Sequence, residues 1–174
     1  MYPLHKGKKR PQAVLLGSGT ILREVEQAAE MVARDFDIVT DVWSVTSFTE
    51  LKRDAERVDH HNHHHITAKP QSSYVAKQLA YHSGPVIAAT DYIKTFAEQL
   101  RPHISQPYHV LGTDGYGRSD TRAHLRDYFG VDARTIAYRT IYALVQDGTC
   151  AQKELKRAHK LYTIDPKKTY TLDT

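Results

Sequence analysis

Hydrophobic residues fall into two rhythms along the chain, and each rhythm predicts a kind of element. Nearly unbroken apolar runs at 12–16, 37–45, 85–89 and 108–111 read as strands. A strand covered on both faces loses the alternation that a half-exposed strand keeps. Between these runs, apolar residues recur every three or four positions, as on one face of a helix. In 20–35 that face is Leu22, Val25, Ala29 and Val32, with Arg23, Glu26, Gln27, Glu30 and Arg34 outside it. In 70–81 it is Tyr74, Val75, Gln78 and Leu79. In 92–101 it is Ile93, Phe96, Ala97 and Leu100, stopped by Pro102, which cannot continue a helix. Leu125 and Phe129 point inward from 121–129, and Ile136, Ala137, Ile141, Leu144 and Val145 form a stripe ending at Gly148. Tyr138, Arg139 and Tyr142 interrupt that stripe and predict partial exposure of the helix. A last helix covers 152–162. Strands alternating with helices predict an open α/β sheet.

Polar residues at the ends of these runs sharpen the boundaries. Ser47 with Glu50 makes a capping box. Ser72 or Ser73 caps 70–81, Thr90-Asp91 caps the helix from Tyr92, Ser119 or Asp120 caps 121–129, and Asp132 caps the next helix. Gly130 suits a left-handed C-cap. The stretch Leu111-Gly112-Thr113-Asp114-Gly115-Tyr116-Gly117-Arg118-Ser119-Asp120 places three glycines in six residues between strand and helix. Such a strand–loop–helix unit forms the strand-end edge where open α/β sheets place their ligands. Gly17-Ser18-Gly19 stands in an equivalent place. It lacks the third glycine of a dinucleotide loop and the Gly-Lys-Ser/Thr of a nucleotide loop, so a tight strand–helix connection is the favoured reading.

Composition narrows the class. Of 174 residues, 40% are apolar and 25% charged, as in ordinary globular domains. The basic 1–11 segment reads as a linker or tail without the apolar core of a signal peptide, and 166–174 as a polar tail. One cysteine, Cys150, allows no internal disulfide, and a cytoplasmic location is expected. No apolar run approaches the roughly 20 residues of a membrane span. The net charge of +4 collects partly in Lys6, Lys8, Lys9 and Arg10, with no basic stripe or motif, so no nucleic-acid partner is expected. A histidine-rich loop is expected at 59–69. His60, His61, His63, His64 and His65 are metal-ligand candidates, weighed against an exposed run with incidental affinity.

Four blocks carry a resemblance: LLGSGTILREV, SVTSFTEL, TDYIKTFAEQLR and GTDGYGRSDTR. Over about 12–165 the chain resembles the C-terminal domain of the homodimeric bacterial pyruvate dehydrogenase decarboxylating subunit, a thiamin-diphosphate-dependent family. The resemblance implies a three-layer α/β/α domain like the transketolase C-terminal domain, with a five-stranded, mostly parallel mixed sheet. The pattern supplies four strands; the fifth, at an edge, falls either in 135–142 or near the N-terminus. The family usually carries Trp-Asn and Leu-His-Pro near the histidines, and this chain has neither.

The resemblance also implies that pyruvate decarboxylation and reductive acetylation of a lipoyl group belong to a longer enzyme. That enzyme would use thiamin diphosphate and magnesium, held by domains absent from this chain. Its partners would be the remaining domains of the subunit, a second subunit copy and a lipoyl acetyltransferase. The 174 residues, starting at Met1, fit an excised or separately encoded domain that is inert alone. Ser18, Thr46, Asp91, Thr113, Asp114, Arg118 and Asp120 should gather at one sheet edge. Among them Thr113, Asp114, Arg118 and Asp120 are the interface or anion candidates, with Asp114–Arg118 a possible ion pair. No catalytic or cofactor-binding residue is assigned. The alternative is a stand-alone module that binds an anion at the glycine loop or a metal at the histidines.

Overall fold

The computed structural model describes residues 1–5, 10–169 and 171. Five strands form one sheet in the order β1-β3-β2-β4-β5. They are β1 (Tyr2–His5), β2 (Ala13–Gly17), β3 (Thr40–Ser44), β4 (Val86–Ile93) and β5 (Tyr108–Thr113). The last four run parallel, and β1 lies antiparallel along the outer edge of β3. The fifth strand is therefore at the N-terminus, and 135–142 is helical. Residues 2–5 are not a linker, as the sequence suggested. Pro3 is tolerated because edge strands can dispense with one ladder donor. The lysines at 6–9 lie outside the described residues.

Seven helices flank the sheet among the described residues: α1 (Leu22–Phe36), α2 (Phe48–His64), α3 (Tyr74–Leu79), α4 (Lys94–Glu98), α5 (Arg122–Phe129), α6 (Ala133–Gln146) and α7 (Gln152–Leu161). Alternation along each strand splits the core into two halves. Ala13 and Leu15 of β2, with Ile87 and Ala89 of β4, face Val25 and Val32 of α1, Ile136 and Ile141 of α6 and Ala158 of α7. Val14, Leu16, Val86 and Ala88 face the other way, onto Leu51 of α2, Val75 and Leu79 of α3, and Ala97 and Leu100 beside α4. This is the three-layer α/β/α architecture. Each fully buried Leu or Ile contributes about 1.5–3 kcal/mol.

The caps mostly follow local chemistry. Ser47 Oγ accepts from the Glu50 N–H, Ser73 Oγ from the Ala76 N–H and Asp132 Oδ1 from the Thr135 N–H. Gly130 takes the left-handed conformation with φ of 67°. Two expectations fail. The cap of α5 is Thr121, whose Oγ1 accepts from the His124 N–H, rather than Ser119 or Asp120. Thr90 and Asp91 cap no helix, because β4 continues through them to Ile93. The helical stripe of 92–101 correspondingly breaks: Ala97 and Leu100 are buried, while Ile93 and Phe96 stand outside.

The histidine-rich segment is not a loop. α2 runs through His64, anchored by buried Phe48, Leu51 and Ala55, and no proline or glycine interrupts it. The tail after α7 is tethered, since the Lys168 ammonium donates to the Asp127 carbonyl and lies 3.4 Å from its carboxylate. No helix among the described residues is long and apolar enough to cross a membrane.

Candidate functional site

The strand ends of β2, β4 and β5 are joined largely through hydroxyls. Ser18 follows β2, and its Oγ donates to Thr90 Oγ1 on β4 at 2.9 Å, with both residues buried. Thr90 Oγ1 also accepts from the Tyr92 N–H at 3.2 Å. Such a buried hydroxyl pair satisfies polar groups that the sheet ladder leaves over at its margin. Asp91 points the opposite way from Thr90, and its Oδ2 accepts from Thr20 Oγ1 at 3.2 Å. Gly19 sits beneath that carboxylate with φ of 55°, and a Cβ there would lie 3.1 Å from Asp91 Oδ1. The left-handed backbone conformation favours glycine here, and the close carboxylate leaves a Cβ little room.

β5 closes the edge. Thr113 Oγ1 donates to the Asp91 carbonyl at 2.8 Å, fastening the start of the glycine loop onto β4. Asp114 pairs with Lys94 of α4 at 2.8 Å. Arg118 places its guanidinium over the Tyr128 ring, 4.4 Å from the centroid. The expected Asp114–Arg118 pair is therefore replaced by two separate partnerships, each with a residue outside the loop. Asp120 lies on the exposed side, where Oδ1 accepts from the Thr121 N–H at 2.6 Å and meets His124 Nδ1 at 3.0 Å. The Thr121 N–H first, and then His124, hold the Asp120 carboxyl below the usual carboxylate range.

Two cavities open along this edge. One of about 340 Å³ is lined by Ser18, Thr46, Ser47, Phe48, Tyr92 and Phe96 among others. The other, about 230 Å³, is lined by Thr20, Asp91, Thr113, Arg122, Leu125 and Arg126 among others. The structure thus brings Asp91 and Thr113 together around one cavity and Ser18 and Thr46 around the other. Asp114 adjoins through Lys94, and Arg118 and Asp120 lie further out along the loop. The edge can orient backbone and exclude water between packed surfaces. Its side chains do not assemble a nucleophile with a base and an orienting group.

Sequence reasoning missed several members. Glu24 of α1 reaches across to α5 and α6, accepting from Arg126 Nη1 at 2.7 Å and from the Ala133 N–H at 2.8 Å. A signal existed: Glu24 is a carboxylate in the first turn of a helix, beside the apolar face rather than opposite it. Tyr92 and Phe96 meet edge to face with centroids 6.2 Å apart, and are 64% and 43% exposed. Where β5 packs against α6, His109 Nδ1 and Arg139 Nη2 are 3.2 Å apart. Burial first, and then the Arg139 charge, push the His109 imidazole below its ordinary value.

The histidines lie at the far end of α2. His60 stacks on His64 and His61 on His65, each with ring centroids 4.1 Å apart. Among the described residues no three His, Cys, Asp or Glu side chains converge where a cation could sit.

Fold and edge together define a three-layer α/β domain whose strand-end loops are fastened to one another and carry exposed aromatic side chains. The model of the transketolase-like TK C-terminal domain matches residues 1–132, and the chain belongs to that family. It is 45% identical over 171 residues to the pyruvate dehydrogenase E1 component of Cupriavidus necator, covering 97% of this chain and 19% of that protein. Against the Pseudomonas aeruginosa protein of the same description it is 48% identical over 176 residues, covering 99% and 20%. The Escherichia coli K12 counterpart is 43% identical over 155 residues, covering 88% and 17%. The chain thus spans about a fifth of the length of the curated relatives it matches.

Among solved structures, transketolase from Leishmania mexicana superposes with a TM-score of 0.57 at 17% identity, covering 86% of this chain and 19% of that one. A split-gene transketolase, described as an inactive beta4 tetramer, gives 0.55 at 18% identity, covering 79% and 41%. At these identities the two structures establish the fold.

Proposed function

We propose that this chain serves as the C-terminal domain of a pyruvate dehydrogenase E1 component. The full enzyme would decarboxylate pyruvate with thiamin diphosphate and magnesium, then reductively acetylate a lipoyl group on a partner acetyltransferase, in the cytoplasm and as a homodimer. The observation that carries this reading is identity of 45–48% to E1 components over 97–99% of the chain. This domain would supply docking surface rather than reacting groups. Supporting that role, Tyr92 and Phe96 are 64% and 43% exposed at the margin of the 340 Å³ cavity, and Ile93, next to Tyr92 in sequence, is 48% exposed. Exposed aromatic pairs of this kind favour an interaction site.

The test replaces the matching segment of the Pseudomonas aeruginosa relative with this chain. Pyruvate-dependent dye reduction, with thiamin diphosphate and magnesium supplied, should survive in the chimera and vanish in a truncation at the same junction. The 174-residue chain alone should show none. Turnover of pyruvate by the isolated chain overturns the proposal. So does a folded chimera no more active than the truncation.

A further inference from the structure

We propose that the last turns of α2 form a chelating site for a borderline transition-metal dication (zinc, nickel or copper(II)), built from the pairs His60–His64 and His61–His65. The proposal stands apart from the role in an E1 component. Positions four apart on a helix lie one above the other, so each pair presents two imidazoles on the same face. The structure brings the rings of each pair together: both stack with centroids 4.1 Å apart, at interplanar angles of 29° and 17°, and turning the His60 and His61 rings out of the stack directs the two nitrogens of each pair onto one ion.

Tautomer is set as well as position. His64 Nδ1 lies 2.8 Å from the His60 carbonyl, and His65 Nδ1 lies 2.8 Å from the His61 carbonyl. A carbonyl only accepts, so in each case Nδ1 carries the proton and donates it. That leaves Nε2 of His64 and His65 as the nitrogen with a lone pair to give a metal. Metal-ligating histidines are commonly oriented by this kind of hydrogen bond from the other ring nitrogen. His60 and His61 supply the second nitrogen of each pair.

The platform is also fixed. Asn62, the one residue that breaks the histidine run, donates through Nδ2 to the Gln71 carbonyl at 2.9 Å and accepts from the Gln71 N–H at 2.8 Å. The returning chain is thereby strapped to the final turns of α2. Partial negative charge at a helix C-terminus further favours a cation there. No third side chain converges on either pair among the described residues, so water completes the coordination. Imidazole with water suits these borderline ions over calcium or magnesium, which take oxygen ligands.

The decisive comparison uses two variants of the full chain that each keep three of the five histidines. His60→Gln with His61→Gln leaves no pair at the four-residue spacing, whereas His60→Gln with His63→Gln retains His61–His65. Zinc titration by calorimetry should show the second variant binding about tenfold or more tightly than the first, because two linked donors act as one ligand. Equal affinity in the two variants would mean incidental surface imidazole affinity only and would overturn the proposal. Nitrogen-15 spectra of the native chain with zinc should show Nε2 ligation and a protonated Nδ1 on His65. Ligation through Nδ1 would refute the assigned geometry. Circular dichroism confirms that α2 is intact in both variants, since every substituted position is solvent-facing or half-buried.

Discussion

Glu24→Ala removes the clamp that holds the α5–α6 corner against α1. In the native chain one carboxylate oxygen meets Arg126 Nη1 at 2.7 Å and the other takes the Ala133 N–H at 2.8 Å. The Glu24 and Arg126 side chains are 15% and 25% exposed. Ala133 opens α6, where the N–H has no partner within its own helix. Hydrogen bonds to charged groups contribute about 1.5–3 kcal/mol each. Water reaches the Arg126 guanidinium and restores part of its share, so the two losses together come to about 3 kcal/mol. For a chain of this size that corresponds to a fall in Tm of about 6–12 °C.

Glu24→Gln keeps the shape but leaves one acceptor oxygen for two donors, so its NH2 group faces either Arg126 or the Ala133 N–H and the cost should be about 2 kcal/mol. Urea denaturation of the native chain and the two variants gives these numbers directly. A cycle with Arg126→Met should show a coupling energy of about 1–2 kcal/mol. A Glu24→Ala loss below about 0.5 kcal/mol, the size of an ordinary surface substitution, would refute the clamp.

The remaining predictions concern the sheet edge, its interior and its surface. A Cβ on Gly84 would stand 1.8 Å from the Gln12 carbonyl oxygen, whereas one on Gly117 meets nothing within 4 Å. Gly84→Ala should therefore cost about 3 kcal/mol, with Gly117→Ala within about 0.5 kcal/mol, by thermal denaturation. Thr113→Val removes the donor to the Asp91 carbonyl and should cost about 1 kcal/mol, with faster amide exchange confined to the glycine loop. His109 is held below its ordinary value in the folded state, so the unfolded chain binds the proton more readily. This contribution is full above about pH 6.5 and is lost as pH falls from there through the lowered folded value. Urea midpoints across that range should decline with acid, and His109→Gln should flatten the decline. Phe96→Ser should leave the isolated chain's Tm within about 2 °C while weakening assembly of the chimera, measured by sedimentation.

Much of the fold is legible because its causes are local. The cap at Asp132, the left-handed Gly130 and the stripe Ile136, Ala137, Ile141 and Leu144 all act within a few residues of one another. The same holds for Ser47 opening α2. Those features fix where elements begin and which face they bury, whatever surrounds them. The gathering of Ser18, Thr46, Asp91 and Thr113 at one edge also follows from the alternation of strands and helices alone, since parallel strands must end on the same side.

What only the tertiary structure decided has its partner far along the chain. Residues 2–5 become a strand because the edge of β3, some 40 residues away, offers a ladder. Thr90 stays in β4 instead of capping a helix because β5 pairs with that strand as far as Ile93, and Ser18, 72 positions earlier, donates to the Thr90 hydroxyl. Asp114 and Arg118 take separate partners, Lys94 and Tyr128, which other elements of the fold bring to them. The histidines extend a helix because buried Phe48, Leu51 and Ala55 hold its first turns in the core and Asn62 ties its last to Gln71. Local propensity specifies a segment only until a distant partner stabilises an alternative by more than about a kilocalorie per mole, and at each of these positions one does.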